Sequence, residues 1–173
     1  MTDILQFYAF SANKKAGYGV GDNVVDLKVY EELNLIPNWR RMFSSFWAED
    51  PFVFEGKTYL SFEHAYQSMK YRINGYIELA NTFTLESNHS TSRLIGKEVQ
   101  RAGRSRKLNE DEIEIWNVNM RDIKNKIYRA KFTKESNPGK ALIATKNAQL
   151  INSGPRIKKI HCTRLEMLRN EIK

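Results

Sequence analysis

The stretch from Asn109 to Phe132 carries the pattern that most restricts how this chain can fold. Its hydrophobic side chains recur at three- and four-residue spacings, the period of one face of an α-helix, and they are Ile113, Trp116, Met120, Ile123 and Ile127. Asn109 and Glu112 have the spacing of a capping box, in which two side chains at a helix start each accept a backbone N–H. The sequence therefore predicts a long amphipathic helix that packs its apolar face against other elements.

A β-hairpin followed at once by a helix is predicted between Pro51 and Tyr71. Two strand-forming runs flank Glu55-Gly56, a two-residue connection typical of hairpins. Ser61 is a favourable N-cap, so the next helix is expected to begin at Phe62. The hairpin thus leads directly into this helix.

The rest of the chain is predicted to add one strand and several short helices. Ile4 to Phe10 is aromatic-rich and predicts a buried strand, although periodicity alone also fits a helix. The predicted helices run from a cap at Asp22 or Asn23 to about Leu33, from Leu94 to Ala102, from Lys140 to Thr145 after Pro138-Gly139 ends the preceding segment, and from a capping box of Thr163 and Glu166 through Ile172. With 173 residues, 41% of them hydrophobic, the chain is predicted to form a single α+β domain, predominantly α-helical, over residues 1–173.

Cysteine, histidine and hydropathy patterns limit the compartment and the kind of site. Cys162 is the single cysteine and cannot form an intramolecular disulfide, and the N-terminus lacks the pattern of a secretory signal, so a cytoplasmic location is expected. No apolar run approaches the roughly 20 residues that cross a bilayer, so no membrane partner is expected. His64, His89 and His161 are scattered along the chain, and no metal site is predicted.

Positive charge is concentrated in the second half of the chain. Residues 1–88 hold 8 basic and 11 acidic side chains, a net charge of −3, whereas residues 89–173 hold 20 basic and 9 acidic side chains, a net charge of +11. Such a field attracts anions, and the phosphates of a nucleotide or of a nucleic acid both satisfy it.

The helix after Ser61 holds the candidate chemistry. Glu63 lies in the first turn, where free amides and the helix dipole favour an ionised carboxylate. Glu63, Gln67 and Lys70 share one helical face. Spacing alone equally fits a solvated acid on an ordinary wet face, with His64 as a hydrogen-bonded packing residue.

Three glycines, Gly17, Gly19 and Gly21, mark a loop that follows the first strand. Glycine allows positive φ and a close approach of the backbone to a ligand. The spacing matches neither phosphate-loop signature, so a ligand-facing loop and a plain connection both stay open.

An ordered set of segments gives these features a family context. The signature G-K-x-W-x-S-x-E-H-Y-x-Q-x-x-K-F is similar to residues 56–71, and the segments A-K-F and L-L-x-T-x-x-A-x-L are similar to residues 130–132 and 142–150. Phe7-Tyr8, Gly17-Tyr18-Gly19, Asn38-Trp39-Arg40 and Phe43-Ser44-Ser45-Phe46 precede them in the family's order. The chain in this respect resembles the NADAR family, the YbiA-like N-glycosidases.

The resemblance implies hydrolysis of the C1′–N bond of a ribosyl phosphate, without a cofactor. An ADP-ribose adduct, also one carried on a nucleic acid, or an aminouracil nucleotide of the early riboflavin pathway would be the substrate. Glu63 falls on the family's catalytic carboxylate. The expected substrate contacts are Tyr8, Gly19, Ser44, Phe46, Trp47, His64, Gln67, Lys70 and Lys131. Among them, Tyr8, Phe46 and Trp47 can offer a ring face to the base.

Departures from the family pattern keep other functions open. Ile151 to Arg156 stands where many members have Asp-x-x-Trp-Gly, Ser45 stands for Asn and Tyr59 for Trp. A protein that binds and sequesters a nucleotide without turnover fits these changes. A nucleic-acid-binding module would fit the basic second half, including Arg101, Arg104, Arg106 and Lys107, although no nucleic-acid motif accompanies the charge. The oligomeric state has no sequence signal.

Overall fold

A computed structural model describes residues 2–156 and 158–173 and divides the chain into two compact units. The terminal unit comprises the described residues of Met1–Ser44 and Phe132–Lys173, and the central unit comprises Ser45–Lys131. Helices and short strands occur in both units, which confirms the mixed, mostly helical fold class. A single domain over the whole chain stays a prediction.

The terminal unit is built on strands β1 (Ile4–Phe7), β4 (Gln149–Asn152) and β5 (Ile160–His161). They form a sheet in the order β1-β4-β5, with β1 and β4 parallel and β5 antiparallel to β4. The helices of this unit are α1 (Glu31–Asn34), α2 (Trp39–Met42), α7 (Asn137–Ala144) and α8 (Thr163–Ile172), with a 3-10 helix at Leu27–Tyr30.

An aromatic cluster fills the core of the terminal unit. The Phe43 ring lies 5.4 Å from the ring of Phe7, 5.8 Å from that of Trp39 and 6.2 Å from that of Phe132, centroid to centroid. All four side chains are buried. The strand predicted over Ile4 to Phe10 ends at Phe7, because the chain turns where the Tyr8 N–H donates to Ser11 Oγ at 2.9 Å.

Three helix starts in the terminal unit differ from the predictions. The helical segment predicted from Asp22 or Asn23 begins only at Leu27, where Asp26 is the N-cap, because the Asp22 carboxylate is engaged elsewhere. Pro138-Gly139 does not end a segment but lies in the first turn of α7, which Ser136 caps. Proline is tolerated there because backbone N–H groups of the first turn have no acceptor within the helix.

The third difference is at the last helix, which begins at Thr163 itself rather than after it, so the predicted capping box is wrong. Cys162 is the N-cap and no side chain caps the helix. The Glu166 carboxylate instead accepts the Leu150 N–H at 2.8 Å and contacts His161 Nε2 at 2.8 Å. A tertiary contact has thus taken the side chain that the local pattern assigned to the cap.

The central unit begins with the predicted hairpin of β2 (Phe52–Phe54) and β3 (Lys57–Tyr59). Glu55 and Gly56 both have positive φ, 47° and 72°, as a tight two-residue hairpin turn requires. The helices that follow are α3 (Phe62–Arg72), α4 (Ile77–Asn81), α5 (Lys97–Ala102) and α6 (Glu110–Lys131), with 3-10 helices at Leu85–Ser87 and Ser90–Arg93. Helix α5 begins three residues later than predicted, after Gly96 at φ 56°.

The predicted long helix and its capping box are confirmed. The Asn109 N–H donates to Glu112 Oε2 at 2.8 Å, and the Glu112 N–H donates to Asn109 Oδ1 at 2.9 Å. Ile113, predicted to face the core, is 44% exposed. The reason is that Glu112 is turned inward by the capping box and by the Tyr76 hydroxyl, and adjacent helical residues point about 100° apart.

Helix α3 packs against α6 and the hairpin to form the core of the central unit. The Phe62 ring lies 4.5 Å from that of Tyr128, and the Tyr66 ring lies 4.8 Å from that of Trp116. Ile123 and Ile127 are buried in the same cluster. None of the helices in the described part of the chain combines the length and apolar character that a bilayer crossing needs.

Candidate functional site

Three polar side chains form a hydrogen-bonded row along α3, here called the α3 polar row: Glu63, Gln67 and Lys70. Gln67 Nε2 donates to Glu63 Oε1 at 2.7 Å, and Lys70 Nζ donates to Gln67 Oε1 at 2.7 Å. The predicted common face is therefore confirmed. Because Gln67 is held from both sides, it fixes the orientation of the Glu63 carboxylate.

Glu63 is buried, with only 5% of its surface exposed, so it is not a solvated first-turn acid. Burial raises its pKa above the ordinary value, and this effect outweighs the hydrogen bonds from Gln67 and Gln100 and the charges of Lys70 and Lys124. That Glu63 tends to stay ionised in the first turn remains a prediction, because burial raises its pKa against the effect of the helix dipole.

Gly103, the residue after α5, closes the far end of the α3 polar row. Its carbonyl oxygen accepts hydrogen bonds from Lys70 Nζ and, at 2.8 Å, from the Tyr71 hydroxyl. A Cβ at this position would lie 2.2 Å from Gln67 Oε1 and 2.3 Å from Gln67 Cδ. Residue 103 must therefore lack a side chain if Gln67 is to keep its place.

Gly103→Ala is expected to displace the Gln67 amide and to raise the pKa of Glu63 further. The added methyl group overlaps the amide, and loss of the Gln67 hydrogen bond removes a contact that lowers this pKa. Overpacking should also cost about 1–3 kcal/mol of unfolding free energy. A pH titration of the Glu63 carboxyl 13C signal by NMR measures the shift.

Gly75→Ala is the matched control for this substitution. Gly75 lies in the same unit at φ 83°, and a Cβ there would meet nothing within 4 Å. The backbone strain should cost about 1–2 kcal/mol and leave the Glu63 titration unchanged. An unaltered titration in Gly103→Ala as well would show that Gly103 does not position Gln67.

His64 is fully buried beside the helix cap. Its Nδ1 lies 2.8 Å from Ser61 Oγ, and its backbone N–H donates to the same oxygen at 3.4 Å. Burial lowers the pKa of His64 to about 4, so the ring is neutral at pH 7. This agrees with the interpretation of His64 as a hydrogen-bonded packing residue. A substrate contact through His64 stays a prediction.

Acid should destabilise the protein through His64. The folded-state pKa of about 4 lies below the ordinary 6.5, so the unfolded chain takes up the proton first. Stability is complete above pH 6.5 and is lost as the pH falls toward 4, by roughly 3 kcal/mol.

Urea unfolding of the wild type and of a His64 variant between pH 7 and 4 tests this loss of stability. His64→Gln should be less stable than the wild type at pH 7 and show a shallower fall with decreasing pH. A slope equal to that of the wild type would mean that His64 is not the sensitive group.

Trp47 and Lys131 of the central unit both face Asp50. The Trp47 indole N–H donates to Asp50 Oδ2 at 2.5 Å. Lys131 is 2% exposed, and burial lowers its pKa to about 7 against the opposing attraction of Asp50. Their roles as substrate contacts stay predictions.

The segment around Phe46 begins beside the start of α3. The Glu63 N–H donates to the Ser45 carbonyl at 3.1 Å, so Ser45 adjoins the first turn of α3 through its backbone. Phe46 is half-buried. Ser44 belongs to the terminal unit, where its N–H donates to the Arg41 carbonyl at 3.0 Å. Substrate contacts through Phe46 and Ser44 remain untested predictions.

A cavity of about 500 Å³ lies in the terminal unit beyond the carboxyl ends of β1 and β4, and is here called the strand-end cavity. Tyr8 and Gly19, two predicted contact residues, line it. Sequence reasoning missed the other contributors, which include Ser11, Lys14, Arg40, Ser153, Gly154, Pro155 and Lys159. Carboxyl ends of adjacent parallel strands are a common location for ligand sites.

The segment that follows β4 forms one wall of this cavity. Ser153, Gly154 and Pro155 line it, and Ile157 lies outside the described residues. A Cβ on residue 154 would lie 2.6 Å from Cδ2 of Tyr8. Glycine at this position therefore lets the Tyr8 ring lie against the backbone.

Within residues 2–156 and 158–173, no group of three or more His, Cys, Asp or Glu side chains is placed to hold a metal ion.

Comparison with known proteins bears on the fold. No protein-family model matches the chain, and no curated protein matches it significantly. The NMR structure of the E. coli protein YbiA matches with a TM-score of 0.51 at 21% sequence identity, over 99% of this chain and 84% of the YbiA chain. The chain has the YbiA fold. The YbiA-like fold that the motif order implies is thereby confirmed.

Within this YbiA fold, the sequence located the α3 polar row and missed its surroundings. Gln100, which lowers the pKa of Glu63, and Gly103 lie in or just after α5 and carry no motif of their own. Arg40 stands in the Asn-Trp-Arg segment, but its partner could not be deduced from that segment. Only their close approach in the folded chain identifies these residues.

Proposed function

We propose that this protein is an N-glycosidase that hydrolyses the C1′–N bond of an ADP-ribose-like or related nucleotide, with Glu63 as the catalytic carboxylate. The observation that carries this proposal is the buried Glu63, oriented by Gln67 in a chain with the YbiA fold. A buried acid with a raised pKa, held by specific partners, is typical of functional sites.

Glu63 can both stabilise the positive charge on the sugar and accept a proton from the attacking water. As the C1′–N bond breaks, its electron pair leaves with the base and the sugar becomes oxocarbenium-like, which a nearby carboxylate stabilises. Water then adds to C1′ and transfers a proton to Glu63, acting as general base. The departing base takes up a proton from solvent, and Glu63 returns its proton to solvent, so that the free base and the regenerated carboxylate result. The raised pKa of Glu63 increases its basicity toward that proton.

The remaining contacts follow the same proposal. Gln67 and Lys70 adjoin Glu63 in the α3 polar row and would hold the ribose or a phosphate oxygen. Tyr8 and Gly19 line a cavity large enough for a ligand. The substrate carrier would be a free nucleotide or a modified nucleic acid.

Product analysis tests the proposal directly. Purified protein is incubated in H₂¹⁸O with ADP-ribose N-linked to a base and with an aminouracil ribosyl phosphate, and the products are separated and weighed by mass spectrometry. We expect a free base from either substrate, together with ADP-ribose from the first or a ribose phosphate from the second, each carrying one ¹⁸O at C1′. Absence of release from both substrates by the wild-type protein would refute the enzyme proposal.

A sequestering protein is the second candidate, favoured by one observation. The wall of the strand-end cavity that replaces the aromatic element is made of Ser153, Gly154 and Pro155, which leaves a cavity without the family's usual Trp. Tight ADP-ribose binding in calorimetry without turnover would support sequestration. Turnover in the ¹⁸O experiment would exclude it.

A further inference from the structure

Arg40 is the buried cation in the lining of the strand-end cavity, and all of its donors are occupied. A guanidinium has five N–H donors. Those of Arg40 bond to the carbonyls of Gln6 (2.5 Å), Lys14 (3.2 Å) and Lys15 (2.9 Å) and to the two oxygens of Asp22 (3.0 and 2.6 Å). An anion in the cavity could bond to Arg40 only if one of these contacts broke.

The Arg40 charge is also balanced. The side chains of Arg40 and Asp22 are 3% and 0% exposed, so the pair contributes little net charge to the cavity. Gly19 lies so close to the guanidinium that a Cβ there would be 2.7 Å from Arg40 Cζ. Arg40 therefore holds in place the Lys14 backbone and the loop that contains Gly17, Gly19 and Gly21, here called the glycine loop.

Two lysines in the lining of the strand-end cavity are exposed and unpaired within the described chain, unlike Arg40. Lys14 and Lys159 are exposed side chains, and neither ammonium group has a hydrogen bond or ion pair with any other described residue. No carboxylate side chain stands among the described lining residues. The net positive charge that the cavity presents to a ligand thus comes from these two lysines.

We propose that the strand-end cavity binds the phosphate-bearing part of a nucleotide through Lys14 and Lys159, and that Arg40 is a positioning residue for this site. The ligand class rests on the proposed function. The assignment of the contacts rests on two observations: all five N–H donors of Arg40 have partners, and the ammonium groups of Lys14 and Lys159 have none among the described residues. The Tyr8 ring, lying against Gly154, supplies an aromatic face beside the two charges.

Calorimetric titration of the full chain with ADP-ribose, adenosine and pyrophosphate tests the proposal. Lys14→Ala and Lys159→Ala should each weaken ADP-ribose and pyrophosphate binding roughly tenfold and leave adenosine binding unchanged. The chain offers matched controls in Lys15→Ala and Lys158→Ala, because these exposed neighbours do not line the cavity. The controls should bind like the wild type.

Several results would overturn the proposal. They are no ADP-ribose binding by the wild type, unchanged affinity in both cavity variants, or equal losses in the neighbouring controls. Pyrophosphate binding as tight as ADP-ribose would assign the cavity to inorganic phosphate and refute a nucleotide site. If no substrate is hydrolysed while binding depends on Lys14 and Lys159, the enzyme proposal fails and this one stands.

The positioning role of Arg40 has its own readout. Its Nε–H signal in a 15N-correlated NMR spectrum should stay protected from solvent exchange with and without pyrophosphate, because Lys14 O holds it. A signal that is exposed in the free protein and becomes protected on adding pyrophosphate would make Arg40 a direct phosphate contact.

Discussion

Glu63→Gln is expected to abolish release of the base and, at neutral pH, to make the folded protein more stable than the wild type. The amide has nearly the same shape and its oxygen can still accept the Gln67 hydrogen bond, but it neither takes a proton from water nor offsets the sugar cation. General base catalysis alone contributes about 10²–10⁴-fold in rate. The product assay measures this loss.

The stability gain has a defined pH dependence. Burial raises the folded-state pKa of Glu63 above the ordinary 4.5. The protonated form is therefore favoured on folding, and its contribution is complete below pH 4.5 and lost as the pH rises through the folded-state pKa. The stability of Glu63→Gln relative to wild type should grow across that window and then level off. Urea unfolding at several pH values follows it.

Glu78→Gln provides the comparison for both measurements. Glu78 is an exposed acid in the first turn of α4, and its substitution should change neither activity nor the pH profile. Activity retained in Glu63→Gln would remove Glu63 from catalysis. A Glu63→Gln protein that is less stable than wild type at every pH would make the carboxylate a structural group.

Local sequence patterns correctly predicted those elements whose determining residues interact with partners only a few positions away in the sequence. Asn109 and Glu112 cap each other, so their spacing alone fixes the start of α6. Glu55-Gly56 determines the hairpin turn through its own backbone angles. The Glu63 and Gln67 pair follows from helical geometry. In each case the partner lies within four residues.

The errors have a common physical origin in long-range polar contacts. Asp22 resembles an N-cap in the sequence, but its carboxylate pairs with Arg40, and Glu166 resembles a capping acid but accepts the Leu150 N–H. The first-turn position of Glu63 likewise gives no indication of its burial, which raises its pKa. Neither burial nor a distant partner leaves a mark on the local pattern.

Arg40→Met is expected to cost about 3–5 kcal/mol of unfolding free energy, because it leaves Asp22 buried without its counter-ion. The Asp22 side chain is 0% exposed and would keep only backbone donors, the N–H groups of Gln6, Gly17 and Gly19 at 2.9, 2.9 and 3.1 Å. The loss is a large part of the about 5–15 kcal/mol that stabilises a typical domain. Urea unfolding measures it.

Arg41→Met and a double substitution separate the ion pair from a simple loss of packing. Arg41 is adjacent and half-buried, and its Nε donates to the Ser11 carbonyl at 2.7 Å, so its loss should cost about 0.5–1.5 kcal/mol. Arg40→Met combined with Asp22→Leu should cost far less than the sum of the two single losses, because no charge is then left buried. If the costs simply add, or if Arg40→Met is no worse than Arg41→Met, the pair does not hold the glycine loop, and the lining of the strand-end cavity must be organised by other contacts.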